Sequence, residues 1–290
     1  MTTIELAPEH KIGLTLSNPV MPAAGCFGLG MEYRNLIEVE TIGAIVVGPV
    51  TAAPRQGAAP PRTLAIPGGV LLHTGLANPG VTAVVRRYGR ALAHCTVPVI
   101  VHVAGTSPDE AGSCCQRLAA IEAIAGIELG LPDTPGGLDR LGPRSGLSDF
   151  LDDAVAIIQA ARVAASQPLI VRLPMVYADL LCEAAVESGA DALTVAAPPR
   201  GTAWHDPTRQ FITGRLYGPF VLPLAVRILH RVAGLVPVPL IGCGGIHSAE
   251  DSRAFLRAGA VAVQVSGAIW HDPACLIRVA RDLAPEASSD

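Results

Sequence analysis

Eight short apolar runs, most of them followed by a stretch of helical character, limit the fold of this 290-residue sequence more than any other feature. The runs are continuous and rich in β-branched residues, which is typical of parallel strands covered on both faces. They occupy residues 19–24, 43–48, 98–103, 126–131, 169–173, 192–196, 239–243 and 261–266. The helical stretches occupy residues 79–94, 108–123, 148–164, 178–188, 219–233, 248–258 and 273–283.

This alternation predicts a (β/α)8 TIM barrel, an α/β fold, as one domain over residues 1–290. A doubly wound open sheet is the alternative. The sequence weakens it, because no Gly-x-Gly-x-x-Gly turn follows the first run. No shift in composition marks a domain boundary.

Composition excludes several classes of function. The net charge is −4 and there is no basic tract, so we expect no nucleic acid or membrane partner. Neither a signal peptide nor an apolar stretch of about 20 residues is evident, which favours a cytoplasmic protein. The cysteines and histidines lack the spacing of a disulfide framework or metal site. Because Lys11 is the single lysine, Schiff-base chemistry is also excluded.

Glycine-bearing turns follow the seventh and eighth runs, where TIM barrels most often bind phosphate groups. These turns contain Gly244 and Gly245 after the seventh run, and Ser266 and Gly267 after the eighth. Backbone N–H groups of such turns can approach phosphate oxygens closely. The sequence therefore predicts a phosphate site here, although glycine pairs also serve ordinary turns.

Two further features point to the barrel mouth. The first run ends in the small residues Ala23, Ala24 and Gly25, which could form a flat surface under a planar ring or simply pack closely as a loop. Arg172 stands within the apolar fifth run. A charge inside such a strand needs an anionic partner or a ligand, so Arg172 is either a ligand contact or half of a structural ion pair.

Taken together, several motifs resemble the class 1 dihydroorotate dehydrogenases, in particular the subclass that works with an iron–sulfur electron-transfer subunit. They lie at residues 18–28, 61–62, 67–69, 75–80, 102–105, 189–191, 218–219, 242–246 and 249–251. The resemblance implies an FMN-binding barrel with a small-molecule substrate. It also suggests a homodimer and an iron–sulfur partner subunit.

The resemblance assigns a set of residues to the flavin. In it, His102 replaces an asparagine near the flavin and Arg172 replaces a lysine near the isoalloxazine ring. The full set is Ala23, Ala24, Gly25, His102, Arg172, Gly218, Gly244, Gly245, Ser266 and Gly267.

The departures from the family lie at the substrate end. Gly48 replaces a lysine, and Leu72 and Ala197 replace asparagines that bind the pyrimidine. The segment 128–133 corresponds to the catalytic loop, is about two residues shorter and lacks its cysteine base. A general base must lie within hydrogen-bond reach of the proton it removes. We therefore expect a substrate other than dihydroorotate, bound near Leu72, Ala197 and Arg200.

The leading hypothesis is an FMN-dependent oxidoreductase acting on CH–CH bonds, whose catalytic residue the sequence does not identify. The candidate proton donors are His73, Thr74, Asp133 and Tyr217. Three alternatives stay open: a non-catalytic paralogue that binds a ligand or partner subunit, a dihydroorotate dehydrogenase with a rearranged site, and a non-redox barrel enzyme that binds a sugar phosphate.

Overall fold

The computed structural model describes residues 3–30, 32–33, 36–133 and 147–283. In chain order, the strands are β1 (Ile4–Glu5), β2 (Thr15–Leu16), β3 (Val20–Pro22), β4 (Ile45–Val50), β5 (Thr63–Ile66), β6 (Gly69–Leu72), β7 (Val99–Ala104), β8 (Ile124–Gly130), β9 (Leu169–Pro174), β10 (Ala192–Ala197), β11 (Arg200–His205), β12 (Gln210–Tyr217), β13 (Leu240–Cys243) and β14 (Ala262–Val265).

The α-helices of the described residues cover the outside of these strands. In chain order they are α1 (Val81–Leu92), α2 (Pro108–Ala119), α3 (Leu147–Ala164), α4 (Ala178–Glu187), α5 (Leu222–Ala233), α6 (Ala249–Arg257), α7 (Ala268–His271) and α8 (Ala274–Leu283). Ser107 and Ser248 cap α2 and α6, because their side chains accept hydrogen bonds from the backbone N–H groups of Glu110 and Asp251.

Eight parallel strands form one sheet in the order β3-β14-β13-β10-β9-β8-β7-β4. The two end strands meet at a seam, where the N–H of Gly43 donates to the carbonyl of Val20 at 2.9 Å. Nearby, the N–H of Gly25 donates to the carbonyl of Gly48 at 3.0 Å. The sheet thus curls into the expected (β/α)8 barrel, and each of the eight predicted runs contains or overlaps a barrel strand.

The lower half of the barrel is apolar. Inward residues of the strands form one cluster with the hairpin β1-β2, which closes the N-terminal end of the barrel through Leu6, Leu14 and Leu16. Side chains two residues further along a strand lie on the same face. Consequently the next inward layer, toward the carboxyl ends, is the first that can reach the barrel mouth.

A second, antiparallel sheet was not predicted from the sequence. Its four strands run in the order β11-β12-β6-β5, and it joins the segments that follow β4 and β10. Arg215 on β12 pairs with Leu72 on β6 and with Arg200 on β11. This sheet therefore brings residues from two distant parts of the chain to one side of the barrel mouth.

Two simpler observations complete the fold. All seven cysteines are free thiols. Within the described ranges, no helix is both long and apolar enough to cross a membrane.

The seam generates a stability prediction. In Gly43→Ala the new methyl group would overlap the carbonyl oxygen of Asn18, so the seam must open and the free energy of unfolding should fall by about 2 kcal/mol or more. The control is Gly112→Ala on α2, where the methyl group meets Ala160 at ordinary contact distance. Alanine there should stabilise by about 0.5–1 kcal/mol. Denaturant unfolding measures both, and equal stability of the two variants would contradict the expected role of the seam.

Candidate active site

A layer of polar side chains crosses the barrel directly above its apolar lower half. These side chains follow the inward apolar residues by two positions, as His102 follows Ile100 and Arg172 follows Ile170. The layer consists of His102, Glu128, Arg172, Thr194, Cys243 and Gln264.

Glu128 is the centre of this layer and is fully buried. Its Oε1 accepts hydrogen bonds from Thr194 Oγ1 at 2.8 Å and Gln264 Nε2 at 2.7 Å. Its Oε2 lies 2.7 Å from His102 Nδ1 and accepts from Arg172 Nη1 at 3.2 Å. One carboxylate on β8 therefore links β7, β9, β10 and β14.

The charges of the layer stabilise one another. Burial alone would raise the pKa of Glu128, but the Arg172 guanidinium and the hydrogen bonds from His102 and Gln264 hold it well below its usual range. Arg172 is 5% exposed and also donates to Gln264 Oε1 at 2.8 Å and to Cys243 Sγ at 2.9 Å. A buried charge requires such partners. The structural ion pair considered for Arg172 is therefore present.

A cavity of about 590 Å³ opens above the polar layer, between the barrel mouth and the antiparallel sheet. Its size lies within the range of about 300–1,000 Å³ that is usual for small-molecule sites. Both His102 and Arg172 reach it from the barrel, so Arg172 is an ion-pair partner and a cavity residue at once.

The cavity contains part of the flavin set that the sequence predicted. The members that line it are Ala23, Ala24, Gly25, His102, Arg172 and Ser266. A Cβ placed on Gly25 would meet no atom within 4 Å, so this wall is low and open. The three small residues after β3, called the flat wall below, line the same cavity as the buried Arg172.

The predicted phosphate glycines lie deeper in the fold. Gly244 and Gly245 are buried and have φ values of +133° and +73°. A Cβ on Gly244 would come 3.0 Å from Ala225 Cβ, and one on Gly245 would overlap the backbone nitrogen of Leu222. These glycines are thus required by the packing of α5, which is the ordinary explanation considered for them.

Three other features surround this end of the site. Gly218 has a φ of +154° and packs against Gly68, while a Cβ on Gly267 would lie 3.2 Å from Tyr217 Cβ. The backbone N–H groups of His247 and Ser248, which precede α6, both donate to Asp251 Oδ2 at 2.9 Å. Asp251 in the first turn of α6 therefore caps the start of its own helix.

The predicted substrate residues line the opposite side of the cavity. Leu72 and Ala197 are apolar, and Arg200 lies next to Arg215, which sequence reasoning missed. Asp133 Oδ2 accepts from Arg200 Nε at 2.9 Å and forms an ion pair with Arg215 Nη1 at 3.2 Å. Two guanidinium groups thus share one carboxylate oxygen at the cavity wall.

The structure brings three of the four candidate proton donors to the cavity. His73 and Thr74 line it near the end of β6, and Thr74 Oγ1 accepts from the N–H of Leu76 at 3.2 Å. Tyr217 also lines it and packs edge-on against Trp270, with ring centroids 4.7 Å apart. Burial raises the pKa of Tyr217, with Cys26 adding to it, so the phenol stays protonated. Asp133 is committed to its two arginines.

Gly48, which the resemblance places at the family's lysine position, has a backbone that suits glycine. Gly48 has a φ of +115°, and a Cβ there would lie 2.7 Å from the carbonyl oxygen of His102. A larger residue would therefore require the backbone to shift. The segment 128–133, which the resemblance aligns with the catalytic loop, is described in full, and residues 134–146 lie outside the described ranges.

Sequence reasoning missed Glu128, Gln264 and Cys243. The sequence does contain a signal for Glu128 and Gln264, because each is a polar residue within an apolar run, as Arg172 is. Over the described parts of the chain, no group of three or more His, Cys, Asp or Glu side chains is placed to hold a metal ion.

Comparison with known proteins gives one consistent family. A family model described as dihydroorotate dehydrogenase matches residues 8–286. The chain is 37% identical over 281 residues to the dihydroorotate dehydrogenase B (NAD(+)) catalytic subunit of Pelobacter propionicus, covering 93% of this chain and 90% of that one. The subunit of the same name from Desulforudis audaxviator is 38% identical over 279 residues, covering 93% and 89%.

A solved structure gives the same fold. The crystal structure of the Eimeria tenella enzyme DHODH in complex with ferulenol has a TM-score of 0.75 and 20% identity to this chain. The match covers 96% of this chain and 83% of that one. At this identity the likeness bears on the fold alone.

The Glu128 network generates a prediction about stability. Glu128→Gln keeps the shape but leaves Arg172 buried without its counter-charge, so the free energy of unfolding should fall by about 3–5 kcal/mol. The control Thr194→Val removes one hydrogen bond and keeps the charge, at a cost of about 1 kcal/mol. Denaturant unfolding at neutral pH measures both, and a Glu128→Gln protein as stable as wild type would contradict the expected role of the carboxylate.

The same network fixes the sign of a pH dependence. Because the fold lowers the pKa of Glu128 from its usual 4.5, its contribution to stability is complete above pH 4.5. That contribution is lost as the pH falls through the lower folded-state pKa. Wild-type stability should therefore decline below pH 4.5, and this part of the decline should be absent in Glu128→Gln.

Proposed function

We propose, on the premise that the chain belongs to the dihydroorotate dehydrogenase family, that it is an FMN-dependent oxidoreductase acting on CH–CH bonds. The observation that carries the proposal is the flat wall of Ala23, Ala24 and Gly25 beside the buried guanidinium of Arg172. A planar ring system with a polar edge suits that pairing of surface and charge.

The residues of the cavity fit FMN by their chemistry. The open space over Gly25 leaves room for the ring, and Arg172 supplies a fixed positive charge where a reduced flavin carries negative charge. Ser266, which lines the cavity after β14, would serve the phosphate end. When bound, FMN would supply two-electron redox chemistry.

The part of the cavity wall that contains Leu72, Ala197 and Arg200 indicates the class of substrate. The family's pyrimidine-binding asparagines are replaced by residues such as Leu72 and Ala197, which cannot make the paired hydrogen bonds that a cyclic imide requires. Arg200 and Arg215 instead present guanidinium forks, which bind carboxylates in a bidentate manner. We therefore propose a carboxylate-bearing substrate other than dihydroorotate, oriented by these two arginines, which Asp133 holds in place.

The wider assembly is proposed from the relatives. Because they are named as catalytic subunits of a NAD(+)-dependent enzyme, an iron–sulfur electron-transfer subunit is the proposed partner of this chain. A homodimer in the cytoplasm, without a nucleic acid or membrane partner, completes the proposal.

A second candidate is a paralogue that binds a ligand without redox chemistry. It is favoured by the burial of Gly244 and Gly245 against the start of α5, and by the Gly48 backbone at the family's lysine position. A dihydroorotate dehydrogenase with a rearranged site and a barrel enzyme that binds a sugar phosphate are the remaining alternatives. Flavin binding separates these candidates.

The cofactor prediction rests on the flat wall. The purified protein should be yellow or should take up added FMN, and dithionite should bleach the bound flavin. Ala24→Leu would fill the space above the wall and should weaken FMN binding at least about tenfold, which corresponds to about 1.4 kcal/mol. Quenching of FMN fluorescence measures the affinity.

The control is Ala93→Leu, a change at an exposed position outside the cavity lining, and this variant should bind FMN as wild type does. Colourless protein that takes up no FMN would contradict the proposal.

The substrate prediction rests on the arginine pair. Benzoate should perturb the absorbance of the bound flavin, whereas benzamide, its uncharged analogue, should bind more weakly. Arg215→Met should weaken benzoate binding by about tenfold to a hundredfold, since a hydrogen bond to a charged group contributes about 1.5–3 kcal/mol. The control Arg227→Met changes an exposed arginine on α5 and should have no effect. Rapid turnover of dihydroorotate with a dye acceptor would contradict the proposed change of substrate.

A further inference from the structure

His102 lies in the cavity with one ring nitrogen fixed and the other ring edge turned away from its partner. Its Nδ1 is 2.7 Å from Glu128 Oε2, and that carboxyl is buried and ionised beside Arg172. A carboxylate can only accept a hydrogen bond, so Nδ1 carries the proton. In the neutral ring, Nε2 then holds the lone pair, which makes it the basic nitrogen.

The free edge of the ring lies beside Gly130. A Cβ on Gly130 would come 2.7 Å from His102 Cε1 and 2.8 Å from Nε2, so the imidazole occupies space that a larger residue would need. His102 and Gly130 both line the cavity. Across the described residues, none makes a hydrogen bond to Nε2.

The orientation of the ring is rigid because its partner is rigid. Glu128 is held at its other oxygen by Thr194 and Gln264, so it cannot rotate without breaking three further hydrogen bonds in the barrel interior. Gly130 lies within segment 128–133, which the resemblance aligns with the family's catalytic loop. This chain has no cysteine there.

Four other titratable groups of this region are poorer bases, and two of them, Cys26 and Asp133, lie outside the cavity lining. Burial keeps the phenol of Tyr217 protonated, and burial likewise raises the pKa of the Cys26 thiol. Asp133 forms ion pairs with two arginines. His73 lines the cavity, but no described carboxylate contacts its ring.

We propose that His102 is the general base of this site and that Glu128 is its positioning residue. This inference rests on the proposed function for the identity of the reaction. In the oxidation, a substrate C–H bond breaks, a new N–H bond forms at Nε2, and the electron pair of the broken bond becomes part of the new C=C bond. Bound FMN, the oxidant of the proposed function, would supply the two-electron chemistry that accepts the second hydrogen with its electron pair. Glu128 balances the positive charge of the imidazolium.

Proton abstraction from carbon can be measured without flavin or natural substrate. The probe is 5-nitrobenzisoxazole, a planar molecule that opens to a coloured phenolate when a base removes its C–H proton. The full chain, before FMN is added, should accelerate this opening, with a rate that rises with pH through one titration. The charged groups next to this titration are Glu128 on β8 and, through the same oxygen, Arg172 on β9.

Variants separate a catalytic role from a structural one. His102→Gln and His102→Asn should each lower the rate at least about tenfold and abolish its pH dependence, while circular dichroism shows that both variants remain folded. Glu128→Gln should move the midpoint of the pH profile downward, because the imidazolium loses its counter-charge. His94→Gln, an exposed histidine outside the cavity lining, should change nothing. Unchanged rates in both His102 variants, or loss of the rate in His73→Gln instead, would overturn the proposal.

If Glu128→Gln does not fold, a measurement on the wild-type chain tests which ring nitrogen of His102 carries the proton. Nitrogen-15 shifts of labelled histidine, assigned with His102→Gln, should show a proton on Nδ1 and none on Nε2 at alkaline pH. A proton on Nε2 in the neutral ring would overturn the proposal. Both measurements omit flavin, so their failure is distinguishable from failure of the FMN titration.

Discussion

The buried carboxylate of Glu128 is the interaction on which the upper half of the barrel depends. It accepts hydrogen bonds from four strands and carries the only full negative charge that contacts Arg172 among the described residues. Ionised groups in such a setting are tolerated only when paired and fully hydrogen-bonded. Glu128 therefore holds the layer together, and the layer presents Arg172 and His102 to the cavity in fixed positions.

The barrel was predictable because its strands are covered on both faces, so hydrophobicity alone marks them. The antiparallel sheet was not, since its strands β11 and β12 are only partly buried and β12 pairs with β6, more than a hundred residues away in sequence. Turn signals were present at Pro67-Gly68 and Asp206-Pro207. Such signals predict a hairpin, but they do not identify the strand that pairs with the edge of that hairpin.

The functional site, like the fold, was only partly predictable from the sequence. A charge within an apolar run identified Arg172, and the same rule applied to residues 128 and 264 would have found its partners. The small residues after β3 also reach the cavity as expected. Gly244 and Gly245 resisted interpretation, because a left-handed backbone in close contact with α5 and a phosphate cradle both select glycine. Arg215 depends on strand register, which no local pattern reveals.

That register determines whether the positive charge of Arg215 faces the cavity. Side chains on β12 alternate between the two faces of the antiparallel sheet, and Arg215 shares the cavity side with its neighbour Arg200. An insertion or deletion of one residue in the turn between β11 and β12 would reverse the faces of whichever strand slipped, whereas a change of two residues would preserve them. Ligand preference in this scaffold could therefore switch between anionic and neutral molecules through hairpin length alone, with every barrel strand unaltered.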